Sequence, residues 1–225
     1  MLTARKSFWF ENLFAIYNKN LFKRRFHSLR VSGLAKIIES NSLQPLIIYA
    51  NHSGWWDGLA AFEISRKAKL ESFIMMEERQ LKKLFLFRRL GAFSVVREKP
   101  REAVKSIEYA ANLLKEKPNR ALWIFPQGEI LPNDARPIRF YNGLARIVEK
   151  VGDVRVVSAT IRYEFLDDCK PEIFVKFGEI ESFDKTNDFN TKKQTGNFAA
   201  NLTENLDEIK ARIISGQLAD FENII

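Results

Sequence analysis

Six short apolar runs between residues 46 and 177 constrain this chain most: Leu46–Ala50, Phe73–Met76, Phe93–Val96, Ala121–Phe125, Val154–Ile161 and Ile173–Phe177. Runs this short, rich in β-branched and aromatic residues, read as buried strands rather than helices. Between them Gly58–Lys67 and Arg101–Lys117 read as helices. The second carries Val104, Ile107, Ala111 and Leu114 at helical spacing and stops before Pro118. Phe198, Leu202, Leu206, Ile209 and Ile213 mark a further helix before Gly216. Strands alternating with helices predict an α/β fold with a mixed, largely parallel central sheet flanked by helices.

The N-terminal part has a different character. Residues 8–26 form a breaker-free, aromatic and basic stretch in which Trp9, Phe10, Phe14 and Tyr17 accompany Arg24 and Arg25. That make-up predicts an amphipathic helix lying in a membrane interface, and it divides the chain into a membrane-binding segment (1–32) and an α/β domain (33–225). The net charge of +8 is concentrated. Residues 1–36 hold eight basic residues against one acid, Glu11, and residues 79–101 hold eight against Glu98. Both basic clusters are interleaved with large apolar side chains, which favours a partner surface that is anionic and apolar over a nucleic acid. The single cysteine, Cys169, fits a reducing compartment. There is no secretory signal pattern, and no run of 18 apolar residues that would span a bilayer. The expected location is therefore the cytoplasmic face of a membrane, held peripherally.

Chemistry concentrates in Asn51-His52-Ser53-Gly54-Trp55-Trp56-Asp57, directly after the Leu46–Ala50 run. In open α/β folds, functional residues gather where strands end. His52 and Asp57 are five residues apart, so on a regular helix they would point roughly 140° away from each other. They can pair if His52 lies in the strand-to-helix loop and Asp57 in the first helical turn. Asp57 would then accept one imidazole proton and leave the other nitrogen as a base. A histidine that merely caps a helix or fills the core is the alternative. Phe125-Pro126-Gln127-Gly128-Glu129 forms a rigid turn at the end of another run, and Arg97 ends the run that follows Gly91. An arginine in that position can bind phosphate bidentately.

In this order and spacing, Asn51–Asp57 (N-H-x4-D), Gly91–Arg97 and Phe125–Gly128 resemble the blocks of the glycerolipid acyltransferase family, which includes lysophosphatidic acid acyltransferases. The resemblance runs over roughly residues 30–180. It implies transfer of a fatty acyl group from an acyl thioester, acyl-CoA or acyl carrier protein, to the hydroxyl of a lysophospholipid-like or other lipid acceptor. His52 would be the general base and Asp57 its orienting partner. The substrate-binding set would be Asn51, Arg97, Phe125, Pro126, Gln127, Gly128 and Glu129, with Arg97 on the acceptor's phosphate. It implies no metal and no bound cofactor.

The chain departs from the family's usual pattern at three places: Gln127 stands for glutamate, Glu129 for threonine, and Ile130-Leu131 for an arginine region. Altered charge there points to an acceptor other than plain lysophosphatidic acid, with Arg136 and Arg139 as candidates to restore positive charge. Two other readings of the same residues are a thioesterase or lipid hydrolase using the His-Asp pair, and a peripheral lipid-binding protein with a structural His52.

Overall fold

The computed structural model describes residues 1–39, 44–185 and 189–225. Helix α1 (Phe8–Arg25) leads into β1 (Ser28–Ser32) and α2 (Leu34–Glu39). The chain continues as β2 (Leu46–Ala50), α3 (Asp57–Lys67), β3 (Glu71–Glu77), α4 (Glu78–Lys83), a 3-10 turn (Phe85–Leu90), β4 (Ala92–Val95), α5 (Pro100–Glu116) and β5 (Arg120–Ile124). Helix α6 (Gly143–Val151), β6 (Val154–Glu164), β7 (Glu172–Phe177), β8 (Glu181–Phe183), α7 (Thr191–Ile214) and β9 (Glu222–Asn223) complete the chain. The strands form one mixed sheet in the order β4-β3-β5-β2-β6-β7-β1-β9, with β8 paired to β6. From β4 to β6 all neighbours are parallel, and β7 runs antiparallel to β6.

The period-2 pattern of the strands distributes the core. Leu46, Ile48 and Ala50 of β2, with Ala121 and Trp123 of β5, point into a layer shared with α1, α2 and α3. Ile47 and Tyr49, with Leu122 and Ile124, point into the layer shared with α5, α6 and α7. Strands covered on both faces must be apolar throughout, which explains the continuous runs in the sequence. Each flanking helix has a readable boundary. Pro100 opens α5, where a missing N–H costs nothing, and Asn190 caps α7 by accepting from Lys193 N–H at 2.9 Å. Gly216, at φ +70°, closes α7.

Trp123 shows how tightly the layers are joined. It is buried and donates its indole N–H to Ser65 Oγ on α3 at 2.8 Å. Ser65→Ala would leave that N–H without an acceptor in an apolar layer, at a cost of about 1–3 kcal/mol. The expected result is a lower urea midpoint with an unchanged slope; an unchanged midpoint would show that the bond contributes nothing net.

Several elements differ from the expectation. β1, β8, β9, α2, α4 and α6 were not anticipated, and residues 28–32 are a strand rather than a continuation of the helix. Helix α1 forms over Phe8–Arg25, but its apolar residues lie on two sides rather than on one stripe. Phe14 and Phe22 turn inward, whereas Phe8, Trp9, Leu13, Ile16 and Tyr17 are exposed. The reason is the helix's seat on α3. Phe14 packs edge-on against Phe62 at 5.2 Å and Phe87 at 5.9 Å, and the buried Asn18 donates to Glu63 at 2.6 Å. Further along, Phe22 and Phe26 both meet Trp56 edge-on. Residues before α1 cover the edge strand β4: Leu2 C=O accepts from Ser94 N–H at 2.8 Å, and Ser7 N–H donates to Arg89 C=O. Among the described residues, no helix is long and apolar enough to cross a membrane.

Candidate active site

The segments singled out in the sequence meet at the C-terminal ends of the parallel strands. Asn51 and His52 follow β2, Arg97 follows β4, and Phe125–Glu129 follow β5. Asn51 continues the β2–β6 ladder with its side chain. Its Oδ1 accepts from Ile161 N–H at 2.7 Å and its Nδ2 donates to Ile161 C=O at 2.8 Å. This double clamp ends the strand and throws the chain into the loop that carries His52.

The loop and the Phe125–Leu131 segment are clipped together at both polar groups of His52. His52 N–H donates to Gln127 Oε1 at 2.8 Å, and His52 C=O accepts from Leu131 N–H at 2.8 Å. The imidazole stacks on Phe125, with centroids 4.6 Å apart. Its Nδ1 lies 2.7 Å from Oδ2 of Asp57, the first residue of α3 and fully buried. Loop histidine and first-turn aspartate are therefore brought together, as their spacing required.

Every other contact of the Asp57 carboxylate is a donor. Ser53 N–H and Gly54 N–H reach Oδ2 at 2.8 and 2.9 Å, and the Tyr163 hydroxyl donates to Oδ1. A carboxylate held by donors only assigns the Nδ1 proton to His52 and leaves Nε2 as the free base. The same bonds use up the Ser53 and Gly54 N–H groups, so these two are not available to a developing oxyanion.

His52 opens onto a cavity of about 820 Å³, within the roughly 300–1,000 Å³ range of small-molecule sites. One end is polar, with Arg97, Glu129, Tyr141 and Arg146. Glu77, Gln80 and Asn142 also line the cavity, and its apolar lining includes Phe62, Leu84, Phe87 and Phe14 of α1. The Arg97 guanidinium lies over the Tyr141 ring at 5.3 Å and against Gly128, and no acid pairs with it among the described residues. Among those residues no group of three or more His, Cys, Asp or Glu is placed to hold a metal ion.

A histidine paired with a buried aspartate lies beside a partly apolar chamber that also holds Arg97. A family model described as Acyltransferase matches residues 28–162, well over half of the chain. The chain belongs to the acyltransferase family. A comparison with curated proteins finds no match. The acyltransferase match begins at β1 and ends within β6, so it takes in the whole His52 loop, Arg97, Glu129, Tyr141 and Arg146, and stops one residue short of Tyr163.

Two of the expected substrate contacts, Asn51 and Gln127, are placed differently from the rest. Asn51 and Gln127 are buried, turned into the protein by their bonds to Ile161 and His52, and do not line the acyltransferase cavity. The Gln127 Oε1 holds the His52 loop through the His52 N–H. Glu129 does line the cavity, as do Phe125, Pro126, Gly128 and Arg97. Arg136 pairs with Asp207 at 2.6 Å, and neither it nor Arg139 lines the cavity. The second cation there is Arg146, from α6. Tyr163 was also missed; it lies two residues beyond Ile161 on the same strand face, so continuing the period-2 pattern would have found it.

Proposed function

We propose that the chain transfers a fatty acyl group from an acyl thioester, acyl-CoA or acyl carrier protein, to a hydroxyl of a membrane lipid, without metal or cofactor. The observation that carries this reading is the His52–Asp57 pair opening onto a chamber lined by Arg97, Arg146 and many apolar side chains. His52 Nε2 takes the proton of the acceptor hydroxyl as its oxygen attacks the thioester carbonyl. The tetrahedral intermediate then expels the thiolate, which recovers a proton, and Asp57 stabilises the imidazolium in between. Arg97, with Arg146 beside it, holds an anionic headgroup such as a phosphate, while the apolar side chains take hydrocarbon. Phe125, Pro126, Gly128 and Glu129 shape the acceptor side, and Asn51 and Gln127 hold the loop.

The test is mass spectrometry of lipids after incubation with palmitoyl-CoA and a mixed lipid extract, with a His52→Ala protein as the blank. New palmitoylated lipids in the active protein alone support acyl transfer and identify the acceptor. Free palmitate alone would replace the reading with thioester hydrolysis, and equal products in both samples would remove His52 from the chemistry.

The substrates imply a membrane surface, and α1 supplies a candidate. Trp9, Leu13 and Ile16 project at i, i+4 and i+7, with Trp9 70% and Ile16 66% exposed. Phe85 and Leu86 are exposed on the neighbouring 3-10 turn, beside Lys82 and Lys83. In this reading the aromatic side chains insert and the cations meet anionic headgroups, at about 1 kcal/mol per basic residue, on the cytoplasmic leaflet. A Trp9→Glu, Ile16→Glu protein is expected to stay in the supernatant when phosphatidylglycerol vesicles are pelleted, whereas the unaltered protein sediments. Equal sedimentation would move the docking surface elsewhere.

A further inference from the structure

Tyr163 belongs to none of the motif segments, yet it completes the shell around Asp57. The Asp57 oxygens are served unequally. Oδ2 accepts from His52, Ser53 and Gly54, while among the described residues Oδ1 has one donor, the Tyr163 hydroxyl. The ring that carries this hydroxyl is firmly held. Its backbone is in the β6–β7 ladder opposite Ile173, its ring is tilted against the Phe26 ring with centroids 6.0 Å apart, and its edge lies against Gly54, where an added Cβ would already touch it at 3.4 Å.

We propose that Tyr163 is a positioning residue for acyl transfer, locking the Asp57 carboxylate so that Oδ2 faces His52 and drawing off part of its negative charge, which sets the basicity of the imidazole. The proposal rests on the reading of His52 as general base. Without the hydroxyl, Oδ1 would be a buried carboxylate oxygen with no partner, free to rotate away from the imidazole or to admit water. Burial and the adjacent Asp57 charge push the Tyr163 phenol well above its usual range, so the hydroxyl stays a donor at every working pH.

The sign of the effect follows from the charge. A donor on Oδ1 weakens the pull of Asp57 on the imidazolium proton, so removing it should make His52 more basic. The other charged groups facing this chamber are Glu77 at the end of β3, Arg97 after β4, Glu129 after β5 and Arg146 on α6, and none of them bonds to Asp57.

Histidine-selective labelling suits the test, because His27 and His52 are the only histidines. In a Tyr163→Phe protein the NMR titration of His52 is expected to move up by about half a pH unit, a coupling modest for a hydrogen-bonded charge. The His27 titration, beside Asp168 at 3.1 Å, should stay in place as the internal control. With palmitoyl-CoA and the acceptor found in the lipid extract, kcat should fall about tenfold while KM stays within about twofold, the signature of a lost transition-state interaction. Should Tyr163→Phe fail to fold, 3-fluorotyrosine at position 163 tests the same point in the opposite direction. It is nearly the same size and a stronger donor, and it should lower the His52 titration. A His52 titration unmoved by either replacement overturns the proposal, whatever the activity does. Undiminished transfer by His52→Ala would instead overturn the base reading and, with it, any catalytic meaning of the shift.

Discussion

Replacing His52 by alanine is expected to lower kcat by about 10² to 10⁴, the usual worth of a positioned general base, with the fold unchanged. The side chain stacks on Phe125 and bonds to Asp57, but the loop is held through the His52 backbone, which keeps its bonds to Gln127 and Leu131. Asp57→Asn separates orientation from charge. Two backbone N–H groups point at Oδ2, so the amide oxygen must take that place and the amide NH₂ must turn toward the Tyr163 hydroxyl, which can accept. The Nδ1–H tautomer therefore survives and only the negative charge is lost. Expected is a loss of about 10²-fold in kcat, below that of His52→Ala, because the imidazolium formed in the transition state no longer faces an anion. The acid limb of the pH–rate profile should move down, since an imidazolium without its anion releases its proton more readily. A steady-state pH series on both proteins checks this. An acid limb unchanged in Asp57→Asn would show that Asp57 only shapes the loop.

Gly128→Ala is expected to act through Arg97. The residue sits at φ +75°, which costs a side-chain-bearing residue about 1–2 kcal/mol. A Cβ there would lie 2.0 Å from Arg97 Nη1 and 2.9 Å from the Tyr141 ring. The arginine head is mobile enough to yield, so the protein folds with a modestly lower melting temperature and a displaced guanidinium. If Arg97 holds an anionic acceptor, KM for that acceptor should rise by about 10- to 100-fold, the equivalent of one charge-assisted hydrogen bond. The KM of the thioester donor should stay near its original value. Kinetics against Arg97→Ala provide the control: the two variants should resemble each other. A normal acceptor KM in both would take Arg97 out of headgroup binding.

What could be read from the sequence was local. β2, β5 and β6 announce themselves because strands covered on both faces are continuously apolar, and α5 and α7 because apolar residues recur at helical spacing and stop before Pro118 and Gly216. The His52–Asp57 pairing was legible for the same reason: five residues of chain leave few ways for the two to meet. β1 was not legible, since Ser28-Leu29-Arg30-Val31-Ser32 has two apolar residues and owes its burial to β7 and β9 on either side. Helix α6 has clear helical spacing in Leu144, Ile147, Val148 and Val151, but Gly152 and Asp153 alone separate it from the apolar run of β6. Which way a side chain points in a loop was beyond reach. Gln127 turned inward, Arg136 found Asp207, and Arg146 reached the chamber from a helix not anticipated.

The seat of α1 has a consequence for the economy of the molecule. Phe14 lines the chamber, Asn18 satisfies Glu63, and Phe22 and Phe26 lie against Trp56, the residue next to Asp57. One helix therefore has exposed aromatic residues on its outer side, while Phe14 on its inner side lines the chamber. Shortening the chain by this helix would not shed an appendage. It would remove Phe14 from the chamber wall and uncover Phe62, Phe87 and Trp56, which pack against Phe14 and Phe22, leaving a stump more adhesive than the intact molecule.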